Sequence, residues 1–411
     1  MQHPASNRPQ RPRILVATST FPRWENDSEP AFVFELSRRL SGSFDITILA
    51  PRSPGSKKTE TIAGLHVIRF PYFLKPWENL ATHSGGIINR LRANPLNYFF
   101  VPFFLIGMFL AFLRLLRTQQ FDIIHAHWII PQGLAAVLAC ALLNKKIPVI
   151  CTSHGGDLYT LRARLLQWVK RRVIDRCDAL TVVSHAMRET VLDMGVSPGK
   201  VRVISMGVDL TNFYTPPAST DFRSSSELLF VGRFVEKKGL HVLLAAMPKI
   251  IDKCPDVHLA IAGAGPMEDQ VKTEVLKSNL SEKVRFLGML PQSELPALYR
   301  RAAIAVFPFV VASSGDQEGL GLVVVEAMGC ECPVIASSLP ALRDTVEHEK
   351  TGMLVPPGDP EALAMATIKL LSNTDLRSKL SREARRNVVG KFDWKSITEK
   401  YSHLYRNFVK V

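Results

Sequence analysis

Glu318 and Glu326 fall in one stretch, Ser313-Ser314-Gly315-Asp316-Gln317-Glu318-Gly319-Leu320-Gly321-Leu322-Val323-Val324-Val325-Glu326-Ala327-Met328, with seven residues between them. Leu320 to Met328 reads as a buried helix that opens on Gly319 and Gly321. That sets Glu318 at the helix mouth and Glu326 roughly 12 Å further along the axis. A helix start offers backbone N–H groups without intrahelical partners, which suits phosphate. Glycines there let a ligand approach the backbone closely. Carboxylates on either side accept hydrogen bonds from vicinal hydroxyls. Phosphate between two hydroxyl-bearing ends is the layout of a nucleotide-sugar. The plainer reading is an acid favoured by the helix dipole plus a chance glutamate. Glu326 argues against it, because an acid among Val323-Val324-Val325 and Ala327-Met328 must be partly buried, and burial without a partner is costly.

Cations are needed opposite such a site. Leu228-Leu229-Phe230-Val231 predicts a strand, and Gly232-Arg233-Phe234-Val235-Glu236-Lys237-Lys238-Gly239 follows it. The Arg233 fork and the Lys238 point charge each suit a phosphate. In isolation this is equally a solvated charged loop. Val257 to Ala262 is a strand running into Gly263-Ala264-Gly265-Pro266, a short turn that is weak evidence alone. Val149-Ile150-Cys151-Thr152-Ser153 is a strand ending in His154-Gly155-Gly156-Asp157. That end is either a tight turn presenting polar groups to a ligand or a turn whose Asp157 caps the next helix. Phe121-Asp122-Ile123-Ile124-His125-Ala126-His127-Trp128 is another strand with its histidines at the carboxyl end, where ligands bind in doubly wound sheets. Whether His127 lines a site or is structural stays open.

These features together resemble the Glu-x7-Glu signature and companion motifs of the family-4 retaining glycosyltransferases, across nearly the whole chain. The resemblance implies an α/β GT-B fold, two Rossmann-like parallel-sheet domains facing a cleft. Residues 1–210 would form the acceptor domain and 211–390 the nucleotide-sugar domain. Residues 391–411 would hold a helix crossing back to the first domain. The stretch from Met206-Gly207-Val208-Asp209 to Ser226 reads as the linker. By resemblance, Arg233 and Lys238 hold the donor diphosphate, His154 meets a donor-sugar hydroxyl, Glu318 orients that sugar and Glu326 holds the ribose. Gly265, Leu290, Gly319, Leu320 and Gly321 complete the donor set, with Leu290 near the base. Sugar transfer would keep the anomeric configuration without an enzyme nucleophile. The loop after the first strand departs from the family, with Glu29-Pro30-Ala31 where glycines are usual. No Asp-x-Asp motif is present. Asp316-x-Glu318 is the nearest, so no obligatory metal or other cofactor is expected beyond the donor, a UDP- or GDP-sugar.

The 411 residues suit two domains, and 46% hydrophobic content suffices for two cores. The balance of 51 basic against 37 acidic residues gives +14, which favours phosphates, acidic glycans or an anionic lipid surface. No nucleic-acid recognition motif accompanies it. The six cysteines show no Cys-x-x-Cys pairing, so neither zinc nor a disulfide framework is indicated. The polar N-terminus lacks the apolar run of a secretory signal, and a reducing, cytoplasmic protein is expected.

Ala93 to Leu113 carries no charge and is crowded with phenylalanine, with Arg90 and Arg92 before it and Arg114 and Arg117 after. Its length suffices to cross a bilayer. Strands on both sides of it should belong to one sheet, which opposes spanning. It is either a buried helix, broken near Pro102 and Gly107, or a surface dipping into a membrane interface. The lack of a polar side favours the second. The expected partners are therefore a nucleotide-sugar, a saccharide or lipid-linked acceptor and an anionic membrane at the cytoplasmic face, without nucleic acid. Two rival readings are a GT-B nucleotide-sugar epimerase and a non-catalytic membrane-bound binding protein.

Overall fold

Strands alternate with helices along the whole chain, and short apolar runs supply two sheets. The computed structural model describes residues 11–25, 27, 32–81, 87, 90–91, 94–160, 163–218 and 223–409. The departure at Glu29-Pro30-Ala31 lies outside the described residues.

The first sheet contains β1 (Arg13–Ala17), β2 (Asp45–Pro51), β3 (Thr59–Ile62), β4 (Leu65–Phe70), β5 (Ile123–His127), β6 (Val149–Ser153), β7 (Ala179–Val182) and β8 (Val201–Val203). Their order is β3-β4-β2-β1-β5-β6-β7-β8. β1 runs parallel to both β2 and β5, with Ile14 opposite Ile46 and Ile123. β3 is antiparallel to β4 and forms the edge. The second sheet contains β9 (Glu227–Val231), β10 (His258–Ala262), β11 (Val284–Gly288), β12 (Ile304–Phe307), β13 (Val334–Ser337) and β14 (Met353–Val355), in the order β11-β10-β9-β12-β13-β14 and parallel throughout. Central strands such as β5, β9 and β12 are buried along their full length. Helices on both faces produce that continuous apolar pattern in place of alternation.

The chain divides into two compact units. One comprises residues 1–152, 168–180 and 398–411, the other 153–167 and 181–397. In the first unit the final helix (Trp394–Arg406) brings Tyr405 to the sheet, where its hydroxyl lies 2.6 Å from His125 Nδ1. His125 Nε2 lies 2.7 Å from Thr152 Oγ1. His125 and His127 are both fully buried, with ring centroids 4.2 Å apart.

Two sequence expectations need correction. The apolar segment 93–113 is not broken at Pro102 or Gly107. A 3-10 segment, Pro95–Phe100, leads directly into α2 (Val101–Thr118), α1 being Phe32–Leu40. Pro102 falls in the first turn of α2, where its missing N–H has no intrahelical acceptor to lose. Gly107 packs so closely on the preceding loop that a Cβ would lie 2.5 Å from the Pro71 carbonyl oxygen. The helix after Ser313 begins at Leu322, later than its apolar pattern suggested. Gly321, with φ of +79°, is its left-handed N-cap. Gly319 and Leu320 therefore belong to the loop, and Glu326 sits little more than one turn into the helix.

Candidate functional site

The carboxyl ends of four neighbouring strands in the second unit carry the expected donor-binding residues. Arg233 and Lys238 follow β9, Gly265 follows β10, Leu290 follows β11, and Glu318 to Gly321 follow β12. Parallel pairing puts all these loops on one edge of the sheet, where α/β folds bind ligands.

Backbone geometry fixes the loops. Gly239 has φ of +66°, and a Cβ there would lie 1.7 Å from the Pro308 carbonyl oxygen. Gly263 has φ of +141°, and a Cβ there would lie 1.9 Å from the Gly232 carbonyl oxygen. Only glycine allows these approaches. Gly265 abuts the Phe234 backbone, with a Cβ 2.6 Å from its carbonyl oxygen, so the post-β10 turn braces the arginine loop.

Three consecutive side chains then tie the β9 loop to the β12 loop. Glu236 accepts from the Ser313 backbone N–H at 2.7 Å and from its hydroxyl at 2.8 Å. Lys237 Nζ donates to Asp316 Oδ1 at 3.2 Å. Lys238 Nζ donates to Glu318 Oε2 at 2.7 Å and lies 4.4 Å from the Phe309 ring centroid. Both members of this last pair keep only small exposed areas, 13% and 16%. Burial pushes the Glu318 carboxyl up. The charges of Lys238 and Lys237, the Lys238 hydrogen bond and the Gly321 backbone N–H outweigh it and hold the value down to about 2. Glu318 is therefore a firm carboxylate, and it takes the backbone donor that the sequence assigned to phosphate. Asp316 and Glu318 each face a lysine. Among the described residues no group of three or more His, Cys, Asp or Glu side chains gathers that could hold a metal.

Arg233 is half-buried. Burial lowers its pKa, and the Asp316 charge opposes the shift. Leu290 is half-buried beyond the end of β11, next to the exposed Met289.

Glu326 lies in α10 (Leu322–Gly329), the earlier helices being α3 (Leu134–Leu142), α4 (Gly156–Tyr159), α5 (Arg164–Arg176), α6 (His185–Asp193), α7 (Leu240–Lys253), α8 (Glu268–Lys277) and α9 (Leu295–Arg301). Only 8% of Glu326 is exposed. The Tyr299 hydroxyl, from α9, donates to Glu326 Oε2 at 3.3 Å. Burial pushes the Glu326 carboxyl up to about 7, against the hydroxyls of Tyr299 and Tyr214 and the charge of Lys238. The two glutamates thus have opposite electrostatic settings. Tyr299, Phe309 and the Lys237–Asp316 pair were not singled out from the sequence. No local pattern marks them, because Tyr299 and Glu326 are 27 residues apart and meet only through helix packing.

His154 follows the end of β6 and falls in the same unit as the Glu318 loop, and its carbonyl oxygen would lie 3.2 Å from a Cβ at Gly319. The structure thereby brings His154 to the Glu318 loop. His154 is half-buried, and burial lowers its pKa to about 3, so the imidazole is neutral. Asp157 does not cap from outside the next helix. It lies within α4, buried, and accepts from Ser153 Oγ at 2.7 Å. Arg233 and two lysines, a fixed carboxylate, a buried carboxyl and a neutral imidazole thus gather at one edge of the second sheet.

Residues 218–387 match the model of the glycosyl transferases group 1, and residues 31–212 that of Glycosyltransferase Family 4. An uncharacterized glycosyltransferase of Methanocaldococcus jannaschii is 29% identical over 364 residues, covering 83% of this chain and 88% of that protein. A phosphatidyl-myo-inositol mannosyltransferase of Mycolicibacterium smegmatis is 27% identical over 364 residues, covering 88% and 85%. The Anabaena protein HepE, solved in complex with UDP-glucose, superposes with a TM-score of 0.72 at 16% identity over 96% of this chain and 99% of that one.

Proposed function

The chain belongs to glycosyltransferase family 4, has the GT-B fold and is a glycosyltransferase; from this premise we propose a retaining, metal-independent hexosyl transfer from a nucleotide-sugar to a hydroxyl of a saccharide or lipid-linked saccharide. The observation that carries the reading is the Lys238–Glu318 pair at 2.7 Å, set with Arg233 on one strand edge. Arg233 and Lys238 take the diphosphate. Glu318, freed in part from Lys238, accepts hydrogen bonds from the donor sugar. Glu326 accepts from the ribose hydroxyls, Leu290 and Gly265 border the nucleotide, and Gly319, Leu320 and, once the sugar draws Glu318 off its N–H, Gly321 give the phosphates access to the backbone.

In the reaction the bond from the anomeric carbon to the diphosphate oxygen breaks, and its electron pair leaves with the diphosphate. The acceptor oxygen bonds to the same face of the anomeric carbon and passes its proton to the departing diphosphate oxygen. Negative charge develops on the leaving oxygen beside Arg233 and Lys238. Fixed cations and N–H donors at such a position are each worth about 10²–10³ in rate. The neutral His154 ring offers a hydrogen bond to a sugar hydroxyl without adding charge.

The M. smegmatis relative is named for a lipid acceptor and the Anabaena neighbour holds UDP-glucose. These support a nucleotide-sugar donor and a lipid-linked acceptor; our reading extends them to a UDP- or GDP-sugar used at the cytoplasmic face of an anionic membrane, in exopolysaccharide or cell-envelope glycan synthesis. We read residues 1–210 as acceptor domain and 211–390 as donor domain.

A thermal-shift panel of UDP-, GDP-, ADP- and TDP-sugars without metal tests the donor site. One nucleotide class should stabilise the protein by about 2.7 kcal/mol at a hundredfold excess over its dissociation constant. No shift with any of the four overturns the site assignment. Proton NMR of the first product formed from the active donor reads retention directly. Consumption of donor to an isomeric sugar without acceptor would favour the epimerase reading.

A further inference from the structure

Helix α2 and the 3-10 segment before it are apolar on two opposite faces. Phe104, Met108, Phe112 and Leu116 point inward and are buried. Leu96, Phe99, Phe103, Ile106 and Leu110 recur every three or four residues on the other face and are 39% to 77% exposed. At helical spacing these five form one continuous stripe roughly 20 Å long. The same stripe continues into Arg114 and Arg117, both exposed and without an ion pair among the described residues.

The N-terminal end of the stripe rests on a rigid aromatic base. The Phe73 ring packs edge-on against Phe99, Phe100 and Phe103 with centroids 5.1–6.0 Å apart. Trp77 stacks on Phe100. The loop holding Phe73 is pinned from beneath by the buried Glu78, which accepts from the Tyr72 and Phe73 backbone N–H groups and from Arg52. Leu74, Lys75 and Trp77 of this loop are exposed beside the stripe. Both ends of the helix connect to strands β4 and β5 of one sheet, so the chain returns to the side it left.

We propose that this outer stripe of α2, with the Leu74–Trp77 loop, docks into the interface of an anionic lipid bilayer. The aromatic and aliphatic end enters the acyl boundary, and Arg114 and Arg117 lie at the depth of the lipid phosphates. An apolar stripe that ends in unpaired cations suits a bilayer, whose apolar interior gives way to anionic headgroups within one helical turn. A second copy of this chain would set its own Arg114 and Arg117 against the same face, cation against cation. The inference rests on the membrane reading proposed above and assigns it to particular side chains.

Flotation of the full chain with vesicles of phosphatidylcholine, with and without phosphatidylglycerol, tests it. Wild type should float with the anionic vesicles. Phe99→Ser/Phe103→Ser/Ile106→Ser should weaken partitioning a hundredfold or more, at about 0.8 kcal/mol per buried CH2 equivalent. Arg114→Gln and Arg117→Gln should each weaken it about fivefold, and only on the anionic vesicles. Phe99 and Phe103 also pack on Phe73, so the triple variant should melt lower than wild type, while its donor-induced thermal shift should match wild type and show that it is folded. A triple variant that floats like wild type overturns the stripe and leaves the membrane reading standing. A wild type that never floats overturns both. A wild-type dimer, broken by the triple variant and indifferent to vesicles, assigns the stripe to a second copy and overturns the proposal.

Discussion

The Lys238 ammonium and the Glu318 carboxylate lie 2.7 Å apart, and their neighbours Lys237 and Asp316 pair at 3.2 Å. The β9 loop thus presents its cations already matched by acids from the β12 loop. On the proposed reading, a diphosphate that takes Lys238 must compete with Glu318, and the displaced carboxylate would then accept from the sugar, coupling cation recognition to sugar orientation through one hydrogen bond.

Glu318→Gln should keep nucleotide affinity within a few-fold, because Lys238 gains freedom as the sugar contact is lost. Its turnover should fall about a hundredfold or more. Titration calorimetry with the free nucleoside diphosphate and steady-state transfer rates separate the two. A variant that loses nucleotide binding and keeps kcat would reverse the assignment.

The same carboxylate makes a pH-dependent contribution to folding. Its pKa is held down to about 2 from 4.5, so the stabilisation is full above pH 4.5 and vanishes as pH falls toward 2. Acid unfolding of Glu318→Gln should therefore show a shallower loss than wild type over that window, read by circular dichroism.

Glu326 behaves in the opposite sense. Its pKa is raised from 4.5 to about 7, so the folded state resists ionisation that the unfolded chain accepts. The cost is absent below pH 4.5, grows to about pH 7 and is constant above. Glu326→Gln should melt like wild type at pH 4.5 and higher than wild type at pH 8. If the ionised form receives the ribose hydroxyls, wild-type donor affinity rises through pH 7, whereas that of Glu326→Gln is weaker by about tenfold and flat. A pH-independent wild-type affinity would count against the ribose role.

Tyr299→Phe removes the hydroxyl that donates to Glu326. Donor affinity at pH 7 should drop about fivefold, the worth of one hydrogen bond of about 1 kcal/mol. The midpoint of its pH dependence should move upward, since the hydroxyl favours the ionised acid. An unchanged midpoint would make Tyr299 a packing residue only.

His154→Ala should slow transfer at every pH from 5 to 9 by a similar factor. The buried ring titrates near 3 and stays neutral throughout that range. A variant that alters the shape of the pH–rate profile would show that His154 exchanges a proton in the reaction.

Gly239→Ala puts a methyl group 1.7 Å from the Pro308 carbonyl oxygen at a left-handed φ. The loop holding Lys238 must move or the domain must loosen, at a cost of about 2 kcal/mol or more. Thermal melting and loss of the nucleotide-induced shift should both report it.

Much of this protein is decided locally. Short apolar runs such as Ile14-Leu15-Val16 and Leu228-Leu229-Phe230, bounded by polar and turn residues, read as strands buried on both faces, and the fold class follows from their alternation with helices. That Arg233, Lys238 and Glu318 lie beyond strand ends was legible because glycines and charges cluster beside those strands. Where helix α10 begins was not legible: apolar residues Leu320 and Leu322 look alike, and only the left-handed turn at Gly321 separates loop from helix. The protonation settings of the two glutamates also needed the tertiary structure. Glu318 meets Lys238 across 80 residues of chain and Glu326 meets Tyr299 across 27, and sequence spacing carries no information on such distant partners. The apolar segment 93–113 shows the same division. Its composition announced a helix without a polar side, but which side chains the sheet covers and which remain outside depends on how α2 seats against Pro71 and Tyr72.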